Sequence, residues 1–157
     1  MTSRPPEMER VVVCAFDGSA VDANAVEVAT RLASALRARL ALVAIVAPPL
    51  ETPDGHLPRP RLDEARRALA LTAQMLEHPF GTDCYLDSGN PVQRLIDFAA
   101  RKRALLLVVG THGRFSPHPA SIVASGVSRN APCPVVVVPD GIAVSALSWP
   151  NAEDRAS

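Results

Sequence analysis

The sequence has no excess of charge of either sign and no long apolar run. Sixteen basic residues balance sixteen acidic ones, so the formal net charge is zero, and this balance does not favour a nucleic-acid or membrane-surface partner. Every apolar run is shorter than the roughly 18–20 residues that cross a bilayer, and the opening MTSRPPEMER lacks the hydrophobic segment of a secretory signal. We therefore expect a cytoplasmic protein that binds neither nucleic acid nor membranes.

Cysteine is scarce, and none of it has the spacing of a metal or redox site. The chain has three cysteines, Cys14, Cys84 and Cys133, and no CxxC pair. The first two lie in strand-like runs and are predicted to be buried free thiols, as is usual in a reducing compartment. His112 and His118 lack a second pair of ligands at a suitable spacing, so no metal is expected.

The common catalytic signatures are also missing. The chain has no GxGxxG dinucleotide loop, no Gly-Lys-Ser/Thr of a phosphate-binding P-loop and no GxSxG nucleophile elbow. A triad of Asp17, Ser19 and His112 is conceivable, but such residues share one end of a sheet easily by chance. No acidic residue that could hold a metal ion lies between Gly110 and Asn130. We expect no catalytic residue, and hence a protein that is not an enzyme.

What the sequence does contain is a regular alternation of apolar runs and helical segments. Strand-like runs rich in valine and leucine are predicted at 10–16, 40–46, 82–87, 104–109 and 134–138. Between them, apolar residues recur every three or four positions, as in amphipathic helices. The first three helices have predicted buried stripes: Val26, Ala29, Leu32, Ala33 and Leu36 in the first; Leu62, Ala65, Leu69, Thr72, Met75 and Leu76 in the second; and Val92, Leu95, Ile96 and Ala99 in the third. A short fourth helix is predicted at 121–130.

This alternation predicts an α/β fold, a doubly wound parallel sheet of five strands with helices on both faces. In such sheets, ligands bind beyond the carboxyl ends of the strands, where the winding reverses. With strand order 3-2-1-4-5 the reversal lies between strands one and four. We expect one domain over residues 9–142, flexible ends at 1–8 and 143–157, and a proline-rich exposed connection at 47–60.

Two breaks in the pattern lie at that reversal, and each has two interpretations. Asp17 follows strand one; its carboxylate suits a ribose or an adenine amine, but Asp-Gly is also a common turn. Gly110-Thr111-His112-Gly113 follows strand four. Its backbone N–H groups are suited to an anion-binding nest, although glycines are also common where a strand exits into a turn. The residues alone leave both alternatives open.

Several stretches together resemble the universal stress protein family over roughly residues 9–139. They are VVVCAFDGSAVDANAVEVATRLA, SGNPVQRLIDFA, LLLVVGTHGR and VSRNAPCPVVVVP. The resemblance implies a Rossmann-like fold of the adenine nucleotide alpha hydrolase-like type, with order 3-2-1-4-5. It also implies a homodimer, often joined through the last strand, here 134–138. Some members bind ATP through Gly-x2-Gly, nine residues, then Gly-Ser or Gly-Thr.

The resemblance assigns candidate nucleotide-binding positions and also shows a defect. Only seven residues separate Gly113 from Ser121-Ile122, which stand where ATP-binding members have Gly-Ser or Gly-Thr. Asp17 matches the adenosine-contacting aspartate of the family, and Val46 matches the position near the adenine. Ala15 stands where some ATP-binding members have proline or valine. Arg114 is a substitute phosphate partner. The implied set is Ala15, Asp17, Val46, Gly110, Gly113, Arg114, Ser121 and Ile122.

The altered loop predicts weak ATP binding or none. Pro117 and Pro119 supply no N–H donor, Ser121 adds a Cβ where glycine is bare, and Ile122 has no hydroxyl. Each lost hydrogen bond to a charged phosphate costs about 1.5–3 kcal/mol, so two losses weaken binding roughly a hundredfold. We expect no firmly bound cofactor, with ATP or another adenine nucleotide as the candidate ligand. The alternatives are an ATP-binding member with slow hydrolysis and a scaffold that contacts a protein partner through Phe115.

Overall fold

The computed structural model describes residues 9–16, 23–47, 59–111 and 120–139. In these ranges strands and helices alternate as predicted. The elements are β1 (Val11–Ala15), α1 (Ala23–Ala35), β2 (Arg39–Val46), α2 (Arg59–Met75), β3 (Thr82–Ser88), α3 (Pro91–Lys102), β4 (Leu106–Gly110), α4 (Ala120–Asn130) and β5 (Val135–Val138).

The five strands form one parallel sheet in the order β3-β2-β1-β4-β5. β1 lies at the centre, where Cys14 pairs with Leu42 of β2 on one side and with Val108 of β4 on the other. The winding reverses between β1 and β4, since the chain first builds outward through β2 and β3 and then returns. The predicted fold class and strand order are confirmed.

Helices cover both faces of the sheet, which explains why the central strands are apolar throughout. In β1, Val12 and Cys14 pack with α1, whereas Val11 and Val13 pack with α3 and α4. α2 joins α1 through Leu69. Because side chains alternate between the two faces of a strand, a strand covered on both sides needs apolar residues at every position.

Helix α3 begins as its sequence predicts. The Asn90 side chain accepts a hydrogen bond from the Gln93 N–H at 3.1 Å, and Pro91 occupies the first turn. An asparagine cap followed by proline satisfies one backbone donor and removes another that would lack a partner.

Three predictions about burial or boundaries were wrong. Met75 is 82% exposed, because the stripe that faces the sheet continues from Thr72 to Leu76 and leaves Met75 turned outward. Cys84 is exposed rather than buried, because β3 is an edge strand with a neighbour on one side only. The connection predicted at 47–60 is shorter: α2 begins at Arg59, since proline is tolerated in the first turn of a helix.

The remaining boundary predictions fall mostly outside the described residues. Segments 1–8 and 143–157, predicted to be flexible, are among them, as is 48–58 of the proline-rich connection. The domain limits 9–142 therefore stay a prediction.

Candidate functional site

Three of the candidate residues end neighbouring strands at the carboxyl end of the sheet. Ala15 ends β1, Val46 ends β2 and Gly110 ends β4. The backbone beyond β1 continues along β2, with the Phe16 N–H donating to the Val43 carbonyl oxygen at 2.8 Å. Ala15 and Gly110 thus lie on either side of the winding reversal, and Val46 lies one strand further along. The structure brings these three together where the sequence placed them.

The described walls of this crevice are apolar. Val46 is fully buried and packs with Ala65 of α2, and Phe16 is 7% exposed. Ala15 is half-buried. Val46 and Phe16 therefore present almost no surface to a ligand, whereas Ala15 stays partly exposed.

Gly89 directly follows β3 at this end of the sheet and was not among the candidate residues. Its φ is +131°, and its N–H donates to the Val46 carbonyl oxygen at 3.2 Å. A Cβ at this position would lie 2.9 Å from Arg94 Nε. Gly89 therefore fixes the end of β2 against the start of α3. The signal was the glycine of SGNP, which comes between a strand and a capped helix.

Ser121 and Ile122 lie in the first turn of α4. A helix N-terminus carries positive potential and free N–H groups, which attract phosphate. At this place Ile122 is 54% exposed. The first turn of α4 thus carries an exposed apolar side chain. The side chain of Ser121 is not among those described.

The other candidates lie outside the described residues. These are Asp17, Gly113 and Arg114, as well as the loop residues Pro117 and Pro119 and the predicted partner contact Phe115. Their assignments stay predictions.

The described part of the site holds little charge. Among the described residues, Asp87 of β3 carries a carboxylate at this end of the sheet; it accepts from the Ser88 N–H at 2.8 Å and lies 3.8 Å from Arg94. Within residues 9–16, 23–47, 59–111 and 120–139, no cluster of histidine, cysteine and carboxylate side chains is suited to a metal ion. In the same ranges, no helix has the length and apolar character to span a bilayer.

The geometry defines a class of protein: a doubly wound α/β domain, a fold in which ligands bind beyond the carboxyl ends of the strands at the winding reversal. The model of the universal stress protein family matches residues 8–139. The chain belongs to the universal stress protein family.

Solved structures agree with this assignment. A universal stress family protein from Burkholderia pseudomallei is 28% identical with a TM-score of 0.65, and the match covers 86% of this chain and 99% of that one. A universal stress protein in complex with cAMP is 24% identical (TM-score 0.61; 84% and 98% covered). One from Archaeoglobus fulgidus in complex with dAMP is 20% identical (TM-score 0.63; 82% and 96% covered). No curated protein matches the chain.

Proposed function

We propose that this protein is a homodimeric regulatory binding protein whose crevice takes the adenosine part of a nucleotide and binds ATP weakly or not at all. The observation that carries the proposal is Ile122, which is 54% exposed in the first turn of α4. It stands at the helix end that a polyphosphate would approach.

The adenosine half of the crevice is supported by the apolar residues at this end of the sheet. Val46 is fully buried at the end of β2, and Ala15 and Gly110 flank the reversal. The two related structures in complex with cAMP and dAMP each hold a nucleotide with a single phosphate. A mononucleotide needs fewer hydrogen-bond donors from the phosphate loop than ATP does, because it has fewer anionic oxygens.

The phosphate half lacks the donors that a triphosphate needs. Ile122 offers no hydroxyl, and prolines 117 and 119 offer no N–H. Two or three missing charge-assisted hydrogen bonds weaken binding roughly a hundredfold or more. Arg114 is the remaining cation of the loop that could compensate.

Calorimetric titration with AMP, cAMP and ATP tests this proposal. We expect ATP to bind no more tightly than AMP, and Asp17→Ala to abolish the binding of both. Ile122→Ser restores a hydroxyl at the helix end and should strengthen ATP binding while leaving AMP nearly unchanged. A low-micromolar dissociation constant for ATP would contradict the proposal. Release of phosphate from magnesium-ATP above the level of Asp17→Ala would instead favour a slow hydrolase.

The homodimer is proposed to form through β5, an edge strand of the sheet. The Leu107 N–H donates to the Pro134 carbonyl oxygen at 3.0 Å. In a parallel pair, backbone groups alternate between the two sides of a strand. The N–H and C=O of Val136 therefore face β4, whereas those of Val135 and Val137 face away from the sheet.

These outward groups define how a second copy would pair. With a twofold axis at Val136, Val135 of each chain exchanges both N–H···O bonds with Val137 of the other, in an antiparallel arrangement. Pro134 and Pro139 flank the strand and limit the pairing to these residues. Val137 is 41% exposed, so a second copy would also cover apolar surface.

We further propose a reducing, cytoplasmic compartment. Cys84 and Cys133 are free thiols, and an oxidising compartment favours disulfides instead.

A further inference from the structure

Three arginines that are distant in sequence converge at the amino ends of the strands, opposite the crevice. Arg10 directly precedes β1, and Arg37 and Arg103 lie in the turns that lead into β2 and β4. Because β1 lies between β2 and β4, Arg10 is flanked by the two turns. Its carbonyl oxygen accepts from the Arg39 N–H at 2.8 Å, and its Nη1 donates to the Leu36 carbonyl oxygen at 3.2 Å. All three side chains are exposed. We call this set the arginine rim.

The backbone of two rim residues has a conformation that glycine usually supplies. Arg37 and Arg103 have φ of 52° and 49°. Each follows a helix end at which the next N–H reaches back five residues, from Ala38 to Ala33 and from Ala104 to Ala99. Glycine is the common residue here, because a side chain makes the left-handed conformation unfavourable. Arginine at both positions is locally unfavourable, and retained strain of this kind points to a function.

The charge at this end of the sheet is positive among the described residues. Glu9 and Asp83 both bind Arg39, at 3.1 and 2.8 Å, which leaves Glu77 as the other acidic residue described near this end. The carboxyl ends of the helices add a partial negative charge of about half a unit each, which offsets only part of the excess. The basic residues described at this end are Arg10, Arg37, Arg39, Arg101, Lys102, Arg103 and Arg129.

We propose that the arginine rim binds an acidic segment of another protein. Guanidinium groups hold carboxylates through two parallel bonds, and Arg39 already does so at this end, with Nε and Nη2 each 2.8 Å from an Asp83 oxygen. Phosphate sites favour helix N-termini, whereas helix C-termini meet here.

The spacing of the rim fits an extended peptide. Adjacent strands lie about 4.8 Å apart, so the turns that carry Arg37 and Arg103, on either side of β1, are separated by roughly 10 Å. An extended chain rises about 3.3 Å per residue. Acidic residues two to four positions apart can therefore reach both arginines together with Arg10. This inference is independent of the proposed nucleotide crevice, which lies at the other end of the strands.

The double variant Arg37→Gly with Arg103→Gly tests the proposal, because it removes both charges at positions where glycine suits the backbone. The probe is a fluorescein-labelled hexaglutamate peptide, measured by fluorescence anisotropy at low salt. We expect the wild type to bind and the double variant to bind about tenfold more weakly, with the urea midpoint of unfolding no lower than that of the wild type. Arg10→Gln should bind about fivefold more weakly.

The matched control is Arg66→Ala with Arg67→Ala, which removes two exposed charges from α2 and should leave peptide binding within twofold of the wild type. Absence of peptide binding to the wild type would overturn the proposal. Equal losses of peptide affinity in the rim and control variants would also overturn it, since such losses would reflect net charge alone. Tighter binding to a DNA duplex or to vesicles of anionic lipid than to the peptide would overturn the assigned class of partner.

Discussion

The two edges of the sheet differ in length, charge and support. β3 has seven residues and carries Asp83 and Asp87, each with an arginine partner. β5 is a run of four valines between two prolines and has no charge. Unpaired edges invite pairing with another chain, and charged side chains prevent it. β3 has the features of an edge that stays single, and β5 those of an edge that pairs.

The arrangement of charge on β3 opposes self-pairing in a specific way. Asp83 and Asp87 lie two residues before and two after Tyr85, the middle residue of the strand. An antiparallel pair centred on Tyr85 would place Asp83 of one copy opposite Asp87 of the other. Like charges directly opposite one another are destabilising. The same twofold operation on β5 brings together only valines.

Side-chain contacts of Arg39 also stabilise the β3 edge. Its guanidinium joins Asp83 and Glu9 and donates to the Phe80 carbonyl oxygen at 3.4 Å. Gly81 leaves room for it, since a Cβ there would lie 2.6 Å from Arg39 Nη1. The hydrogen bond from Arg39 lowers the pKa of the Asp83 carboxyl, although partial burial acts in the opposite direction. A charged network thus anchors β3, whereas β5 depends on apolar contacts and backbone pairing.

The largest effect should come from Val137→Pro, which breaks the proposed pairing edge. Proline removes an N–H that faces away from β4, so the sheet itself keeps its bonds. Each dimer loses two backbone hydrogen bonds, and the dissociation constant should rise about a hundredfold or more. Sedimentation equilibrium measures it. Val137→Thr, which retains the N–H, should stay dimeric; a wild type that is monomeric at micromolar concentration would refute the dimer.

On the other edge, Gly81→Ala should lower the free energy of unfolding by about 2 kcal/mol. Gly81 has a φ of 92°, and its Cβ would displace Arg39. Urea denaturation measures the loss. In an Arg39→Ala background the same substitution should cost less, because only the backbone strain remains. Equal costs in the two backgrounds would show that Gly81 does not support the Arg39 network.

A smaller, pH-dependent effect is expected for Asp83→Asn. Because the pKa of Asp83 is lowered in the folded state, its ionised form stabilises the fold above the ordinary aspartate pKa of about 3.9, and this contribution is lost as the pH falls through the folded value. The Asp83 side chain is 41% exposed, so the loss at pH 7 is about 1 kcal/mol or less. Urea denaturation should show the difference from wild type shrinking as the pH falls below the ordinary aspartate pKa. A difference independent of pH would exclude the ion pair as its cause.

The smallest expected effect is on the rate at which a thiol reagent modifies Cys84, a residue of the edge strand β3. The residue is exposed, yet its Sγ lies 3.6 Å from the Leu69 carbonyl oxygen, and partial burial raises the pKa of the thiol. Labelling with a thiol reagent should modify Cys84 slowly in the native protein and Cys14 only after unfolding. If β3 stays unpaired, Val137→Pro should leave the labelling rate of Cys84 within about twofold of the wild-type rate. A large acceleration would place Cys84 in an interface.

Local patterns predicted the elements well because they depend on nearby residues. The Asn90-Pro91 cap and the stripe from Val26 to Leu36 follow from spacing along one helix. The errors at Met75 and Cys84 arose where burial depends on a neighbour that a local pattern does not contain. Position at a sheet edge and the direction of a last helical turn are both properties of the assembled fold.

By itself, the sequence determined the alternation of strands and helices, the apolar character of both faces of the central strands and the absence of a side-chain hydroxyl at Ile122. These follow from periodicity and from the chemistry of single side chains. The tertiary structure alone decided which residues meet across the sheet: Arg10 with the turns at Arg37 and Arg103, and Arg39 with Asp83. The reason is that parallel strands joined by helices bring together residues that lie tens of positions apart. The local spacing of residues does not predict which of these distant residues come into contact.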